Sequence, residues 1–179
     1  VADLDGSGNL ILHMGDQAGA RNDADGGPNH SLYSGLDGSQ AETFTVDLSE
    51  DGTKYLVSYN GTTEEFAKSS VTGSIIVNRA QGGNDVLRLA EGATAALIFQ
   101  GGDGNDRVSY LGTGTAEIYG DAGNDRLTAN SVQHSNANRI TVSGQTAKFD
   151  TRIEGGTGDD QITITNVDPD NQVEGNDYV

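Results

Sequence analysis

Apolar side chains follow two different rhythms along this chain. Between residues 42 and 67 they alternate, with Phe44, Val46 and Leu48 in one run and Tyr55, Val57 and Tyr59 in the next. A period of two places one face of a strand on a core and the other in water. GluAspGlyThr at 50–53 separates the runs and Asn60-Gly61 follows them. Asp-Gly and Asn-Gly accept the positive φ that tight hairpins need. Residues 42–67 are therefore expected to form an antiparallel meander, preceded by a strand near Asn9–Met14. The Asp-, Asn-, Gly- and Ser-rich stretch from Gly15 to Gln40 reads as a long loop.

The second rhythm starts with a strand at Ser74–Asn78. A glycine-rich turn then closes on an acid and is followed, two residues later, by an aliphatic side chain. The copies read AlaGlnGlyGlyAsnAspValLeu from Ala80, GlyGlyAspGlyAsnAspArgVal from Gly101 and GlyAspAlaGlyAsnAspArgLeu from Gly120. Two more, GlyGlyThrGlyAspAspGlnIle and GlnValGluGlyAsnAspTyrVal, begin at Gly155 and Gln172. The closing acids Asp85, Asp106, Asp125, Asp160 and Asp177 lie 21, 19, 35 and 17 residues apart. The aliphatic partners are Leu87, Val108, Leu127, Ile162 and Val179, which predicts strands over Val86–Leu89, Arg107–Tyr110, Arg126–Thr128 and Gln161–Thr165. Self-similarity at a nearly fixed period points to a solenoid. The 35-residue gap is close to two ordinary spacings, as if one copy had decayed. The stretch Asn130–Asp150 is expected to interrupt the row as a bulging loop or an unliganded coil.

Stacking such turns at the separation of paired strands, about 4.8 Å, sets one carboxylate above the next. Uncompensated, that arrangement is repulsive. A hard divalent cation between turns removes the repulsion and occupies the carbonyls that glycine exposes. Calcium suits the task, since it takes about 6–8 oxygen ligands in loose geometry, whereas magnesium demands a tight octahedron.

These turns resemble the RTX nonapeptide, glycine-glycine-x-glycine-x-aspartate-x-aliphatic-x, of secreted bacterial proteins. The copies at Gly101 and Gly155 match every defining position; Asp121 replaces the second glycine in the copy at Gly120; those at Ala80 and Gln172 lack the first two glycines. The resemblance covers residues 75–179 and implies an all-β fold, a right-handed parallel β-roll, with calcium held between turns along one edge. The β-roll, residues 74–179, would follow an antiparallel, hairpin-rich N-terminal module or cap, residues 1–73. The ligand positions implied are the carboxylates Asp85, Asp106, Asp125, Asp160 and Asp177, with Asn84, Asn105, Asn124, Asp159 and Asn176 before them. The turn residues Gly83, Gly101, Asp103, Gly104, Gly120, Gly123, Gly155, Gly158 and Gly175 complete the set. Sites are expected between Asp85 and Asp106, Asp106 and Asp125, and Asp160 and Asp177. The intervening turns, near Glu91–Thr94 and Gly112–Thr115, lack a closing Asp and should stay metal-free.

Composition sharpens the picture. The 179 residues include 26 glycines, no cysteine and 27 acids against 10 bases, for a formal charge of −17. Such an acidic surface argues against nucleic acid and anionic membrane as partners. It also opposes compaction, which bound calcium would relieve. With no disulfides available, a metal is one of the few staples open to a slim core. Nothing apolar is long enough to insert into a membrane. The chain lacks an initial Met and stops inside a repeat at Val179, and reads as a fragment of a larger secreted or cell-surface bacterial protein.

Candidate chemistry is otherwise sparse. His13, His30 and His134 are scattered, and neither His-Glu-x-x-His nor Gly-x-Ser-x-Gly occurs. Asp3, Asp5, Ser7 and Asn9 resemble the opening of an EF-hand loop, but Met14 stands where its bidentate Glu belongs, so an acidic turn is expected. No catalytic residues are assigned. The expected role is a calcium-binding structural or adhesive module of an extracellular protein, folding after export, with neighbouring copies or domains of the same protein as partners. The alternative is a calcium-dependent polysaccharide-binding module accompanying a secreted enzyme. Few aromatics and an acidic surface weigh against that alternative unless calcium bridges the polymer.

Overall fold

A computed structural model describes residues 1–15, 40–130, 140–142, 145–147 and 151–165. The protein is all-β; among the described residues the one named helical element is a short 3-10 turn at Lys68–Ser70. The N-terminal part supplies β1 (Ala2–Leu4), β2 (Leu10–Leu12), β3 (Thr43–Leu48), β4 (Lys54–Tyr59) and β5 (Thr62–Ala67). Strands β3, β4 and β5 pair antiparallel, as the alternation and the two Gly turns dictate. Asn60 and Gly61 both take positive φ at the second turn. Most of the long Gly15–Gln40 loop lies outside the described residues.

From Ser74 onward successive strands change sheets. β6 (Ser74–Val77), β8 (Ala96–Asp103), β10 (Ala116–Ala122) and β14 (Thr151–Glu154) pair in parallel in one sheet. β7 (Val86–Leu89), β9 (Arg107–Tyr110), β11 (Arg126–Asn130) and β15 (Gln161–Thr165) do the same in the other. The N-terminal strands extend both sheets: β2 pairs with β6, and β3 with β7, each in parallel. The result is two mixed sheets, ordered β1-β2-β6-β8-β10-β14 and β15-β11-β9-β7-β3-β4-β5. The four strands expected after the acids are present, β11 running two residues further. β8 and β10 were not expected; only their last three residues, Gly101–Asp103 and Gly120–Ala122, fall in the expected turns.

One core lies between the sheets. Phe44, Val46, Leu87, Leu89, Val108, Tyr110 and Leu127 face Leu10, Ile75, Val77, Leu97, Phe99 and Ile118, all essentially buried. β2, β3, β6, β7, β8 and β9 each contribute two such side chains, worth about 1.5–3 kcal/mol apiece on full burial. The meander also tends the turns: the Tyr55 hydroxyl accepts the main-chain N–H groups of Thr94 and Ala95 at 3.1 and 3.0 Å.

The 35-residue gap does not interrupt the stack. β10 pairs directly with β14 and β11 with β15, in unbroken register. No decayed coil stands between them. The extra residues instead contribute an antiparallel pair of short strands, β12 (Ile140–Val142) and β13 (Gln145–Ala147), separate from both main sheets. An insertion can leave a parallel stack at one turn and return at the next, because inter-turn pairing depends on register and not on connection length.

Candidate metal-binding edge

Parallel register aligns the closing acids. The main-chain N–H of Asp85 donates to Asp106 Oδ1 at 2.9 Å, that of Asp106 to Asp125 Oδ1 at 2.8 Å, and that of Asp125 to Asp160 Oδ1 at 2.8 Å. The carbonyls of Asp85, Asp106 and Asp125 each accept the N–H of the residue just after the next Asp, at 2.7–2.8 Å. Every acid thus ties its turn to the following one twice. Asp suits this position because its short side chain reaches a neighbouring main-chain N–H with little rotamer freedom to lose.

The row starts one step earlier than the glycine pattern indicates. Thr43 is the register partner of Val86, so Glu42 stands beside Asp85, and its N–H donates to Asp85 Oδ1 at 2.7 Å. Glu42 is buried, and its carboxylate accepts the Gly15 N–H at 2.7 Å. Its surroundings lack the glycine signature. The aromatic Phe44 two residues on was the signal that could have found it.

The second oxygen of each carboxylate carries the chemical message. Asp106 and Asp125 are 1% and 2% exposed, and their Oδ2 atoms are buried with no hydrogen-bond partner. A methyl group built on Gly101 would collide with Asp106 Oδ2 and lie 2.6 Å from the Gly120 carbonyl oxygen. At Gly120 the same methyl would collide with Asp125 Oδ2 and lie 2.5 Å from the Gly155 carbonyl oxygen. A bare carboxylate oxygen and a main-chain carbonyl thus both lie within 2.6 Å of the space a side chain would fill at each glycine. Buried carboxylate oxygens are almost always satisfied, which makes each unpartnered Oδ2 a candidate ligand.

Electrostatics point the same way. Burial pushes the Asp106 carboxyl up to about 6; the Asp85 N–H opposes the shift, and the negative charges of Asp125 and Asp121 add to it. Asp125 is raised by burial as well, against the Asp106 N–H and with Asp160 and Asp121. Asp121, at the second-glycine position, takes φ of 72° and also buries an unpartnered Oδ2. The left-handed region costs a non-glycine residue about 1–2 kcal/mol. Gln81, at the corresponding place in the first copy, makes the same excursion at 75°.

The other expected ligand positions also tie turn to turn. The side-chain oxygens of Asn84, Asn105 and Asn124 accept the main-chain N–H groups of Asn105, Asn124 and Asp159, at 2.8, 2.7 and 2.9 Å. This exposed ladder runs opposite in sense to the Asp ladder and pins the same turns. Gly104, Gly123 and Gly158 take φ of 135–139°, and a side chain on any of them would collide with the carbonyl of Gly83, Gly104 or Gly123 in the turn before. The Asp103 side chain is exposed. Gly175, Asn176 and Asp177 fall outside the described residues, and with them the site expected between Asp160 and Asp177. The structure instead brings Asp125 and Asp160 together as neighbours, a pair that the 35-residue spacing hid.

Among the described residues no three acidic, histidine or cysteine side chains gather around one point. Elsewhere, Asp5 accepts the Ser7 and Asn9 N–H groups, both at 2.8 Å, as the acidic turn ahead of β2 requires. Buried His13 sets Nε2 2.9 Å from Asp3, and desolvation lowers its basicity. Among the described residues no helix is long and apolar enough to cross a membrane. Comparison of the chain with protein-family models, with characterised proteins and with solved structures finds no match.

Proposed function

We propose that this chain is a calcium-folded structural module of a secreted or cell-surface bacterial protein, its alternating strands forming a right-handed parallel β-roll with ions between turns along the acidic edge. The observation carrying the reading is the pairing of an unpartnered, buried Asp Oδ2 with a main-chain carbonyl at Gly101 and again at Gly120. Calcium accepts this donor set: hard oxygens, few charges per site and no demand for ideal geometry. Asp106 and Asp125 would each serve an ion, with Gly120 and Gly155 supplying carbonyls, and Asp160 continuing the row.

The mechanism is coupled folding and binding. Without metal, a chain of net charge −17 must bury carboxylates that repel one another. Where calcium is scarce it stays extended and exportable. Outside, at the affinities of about 10⁻⁴–10⁻³ M typical of extracellular modules, ion entry folds one turn and prepares the next. Binding free energy becomes folding free energy because the site exists only in the stacked state. The module would serve as a spacer, surface-layer component or adhesin segment.

A calcium titration of chelated protein, followed by circular dichroism and calorimetry, tests the proposal. A cooperative gain of β-structure with several ions bound, and no similar response to magnesium, is expected. A protein equally folded in calcium and in chelator, binding no ions, would refute it.

A further inference from the structure

The outer face of the β3-β7-β9-β11-β15 sheet contradicts the acidity of the whole. Inward positions of these strands are apolar, so Arg88, Arg107 and Arg126 point outward, and all three are exposed. Arg107 and Arg126 are direct register partners on adjacent parallel strands. Like charges placed side by side on neighbouring strands are destabilising. Yet among the described residues none of the three arginines makes an ion pair, in a chain with 27 acids to choose from. Around them the face is lined by hydroxyl and amide side chains, among them Ser109, Thr128 and Gln161. Across these five strands Asp47, at the far end of β3, is the one outward carboxylate among the described residues.

We infer that this face is a docking surface for an acidic polysaccharide, gripped by Arg107 and Arg126 with Arg88 as a flanking contact. Guanidinium groups bind carboxylate or sulfate through paired, charge-assisted hydrogen bonds. Adjacent parallel strands set two such groups about 4.8 Å apart, a repeated spacing that suits a linear polyanion better than a single small anion. The neighbouring hydroxyl and amide side chains match sugar hydroxyls. Nucleic acid fits less well, because the face presents no aromatic side chain for bases to stack on and the molecule as a whole is anionic. Segregating a cationic face from the acidic edge also removes the objection that so acidic a protein would repel such a polymer. The arginine face is set by strand register and needs no ion as a ligand, so it is present wherever the strands are folded.

The test is affinity electrophoresis and calorimetry of the full chain against polygalacturonate, heparin, neutral dextran and single-stranded DNA, in calcium and in chelator. Retention by an acidic polysaccharide and not by dextran is expected. An R107Q/R126Q variant, with unchanged circular dichroism, should bind at least about tenfold more weakly, since removing a single charge-assisted hydrogen bond already costs about that factor. R107K/R126K should retain part of the affinity, and added salt should weaken binding. Failure to retain any acidic polysaccharide would overturn the inference. So would DNA binding of equal strength, or binding abolished by chelator but indifferent to R107Q/R126Q, which would place the polymer on edge-bound calcium.

Discussion

Replacing Asp106 by Asn isolates the electrostatic logic of the acidic edge. The substitution keeps an oxygen for the Asp85 N–H and places an NH₂ group where the unpartnered Oδ2 lies, on the side of Gly101 that also holds the Gly120 carbonyl. A bare acceptor becomes a donor, and a buried charge disappears. In native protein, raising this carboxyl from 3.8 to about 6 corresponds to about 3 kcal/mol of unfavourable free energy at neutral pH, at about 1.36 kcal/mol per unit. In chelator, where the native chain is expected to stay mostly extended, D106N should therefore shift the folding equilibrium toward the folded form by about 1–3 kcal/mol once solvent relaxation is allowed for. An excluded osmolyte such as sucrose populates that form so that the shift can be read. In calcium the order reverses: the variant lacks a charged ligand, and stabilisation grows with the logarithm of ion concentration over Kd. Urea unfolding followed by circular dichroism, at a series of calcium concentrations, should give stability curves that cross. A variant weaker than native in chelator, or one with an undiminished calcium response, would refute the reasoning.

Further outcomes follow from the same geometry. Because the folded-state pKa of Asp106 is raised, protonation favours the folded form, so in chelator stability should fall as pH rises from about 4 to about 6. Calcium should flatten that slope, as urea midpoints across the range will reveal. Gly104→Ala forces a side chain onto the Gly83 carbonyl at φ 139°. It should cost about 3 kcal/mol or more, seen as loss of β-signal at moderate urea even in calcium. Tyr55→Phe strands the N–H groups of Thr94 and Ala95. About 1–3 kcal/mol of stability should disappear in calcium and chelator alike, with calcium affinity per folded site unchanged.

Local chemistry in this chain is legible because its periods are short. Alternation at Phe44–Leu48 and Tyr55–Tyr59, with Asp51-Gly52 and Asn60-Gly61 between and after, is enough for the meander, since strand pairing across a tight turn is a local event. An aliphatic residue two places past each acid likewise locates β7, β9, β11 and β15; Leu87, Val108 and Leu127 enter the core, whereas Ile162 on the last strand of its sheet stays exposed. What was not legible is which turn lies on which. Asp125 meets Asp160 across 35 residues, and Glu42 joins the row from a segment without the turn motif. β8 and β10 were missed although Ala96–Gln100 and Ala116–Tyr119 contain no glycine, because the periodic turn motif begins only at their last residues.

The composition of each turn is written in contiguous residues: glycines for tight curvature, an acid to close it, and an apolar side chain two places on. Only the tertiary arrangement makes the acids one continuous row, buries the second oxygens of Asp106 and Asp125 without a hydrogen-bond partner, and stands Arg107 and Arg126 side by side on the outer face of one sheet. Register between strands is set by long-range packing, and a loop of any length closes at a cost that grows only with the logarithm of its length. Spacing along the chain therefore foretells the kind of contact each turn makes, and the stack selects the partner.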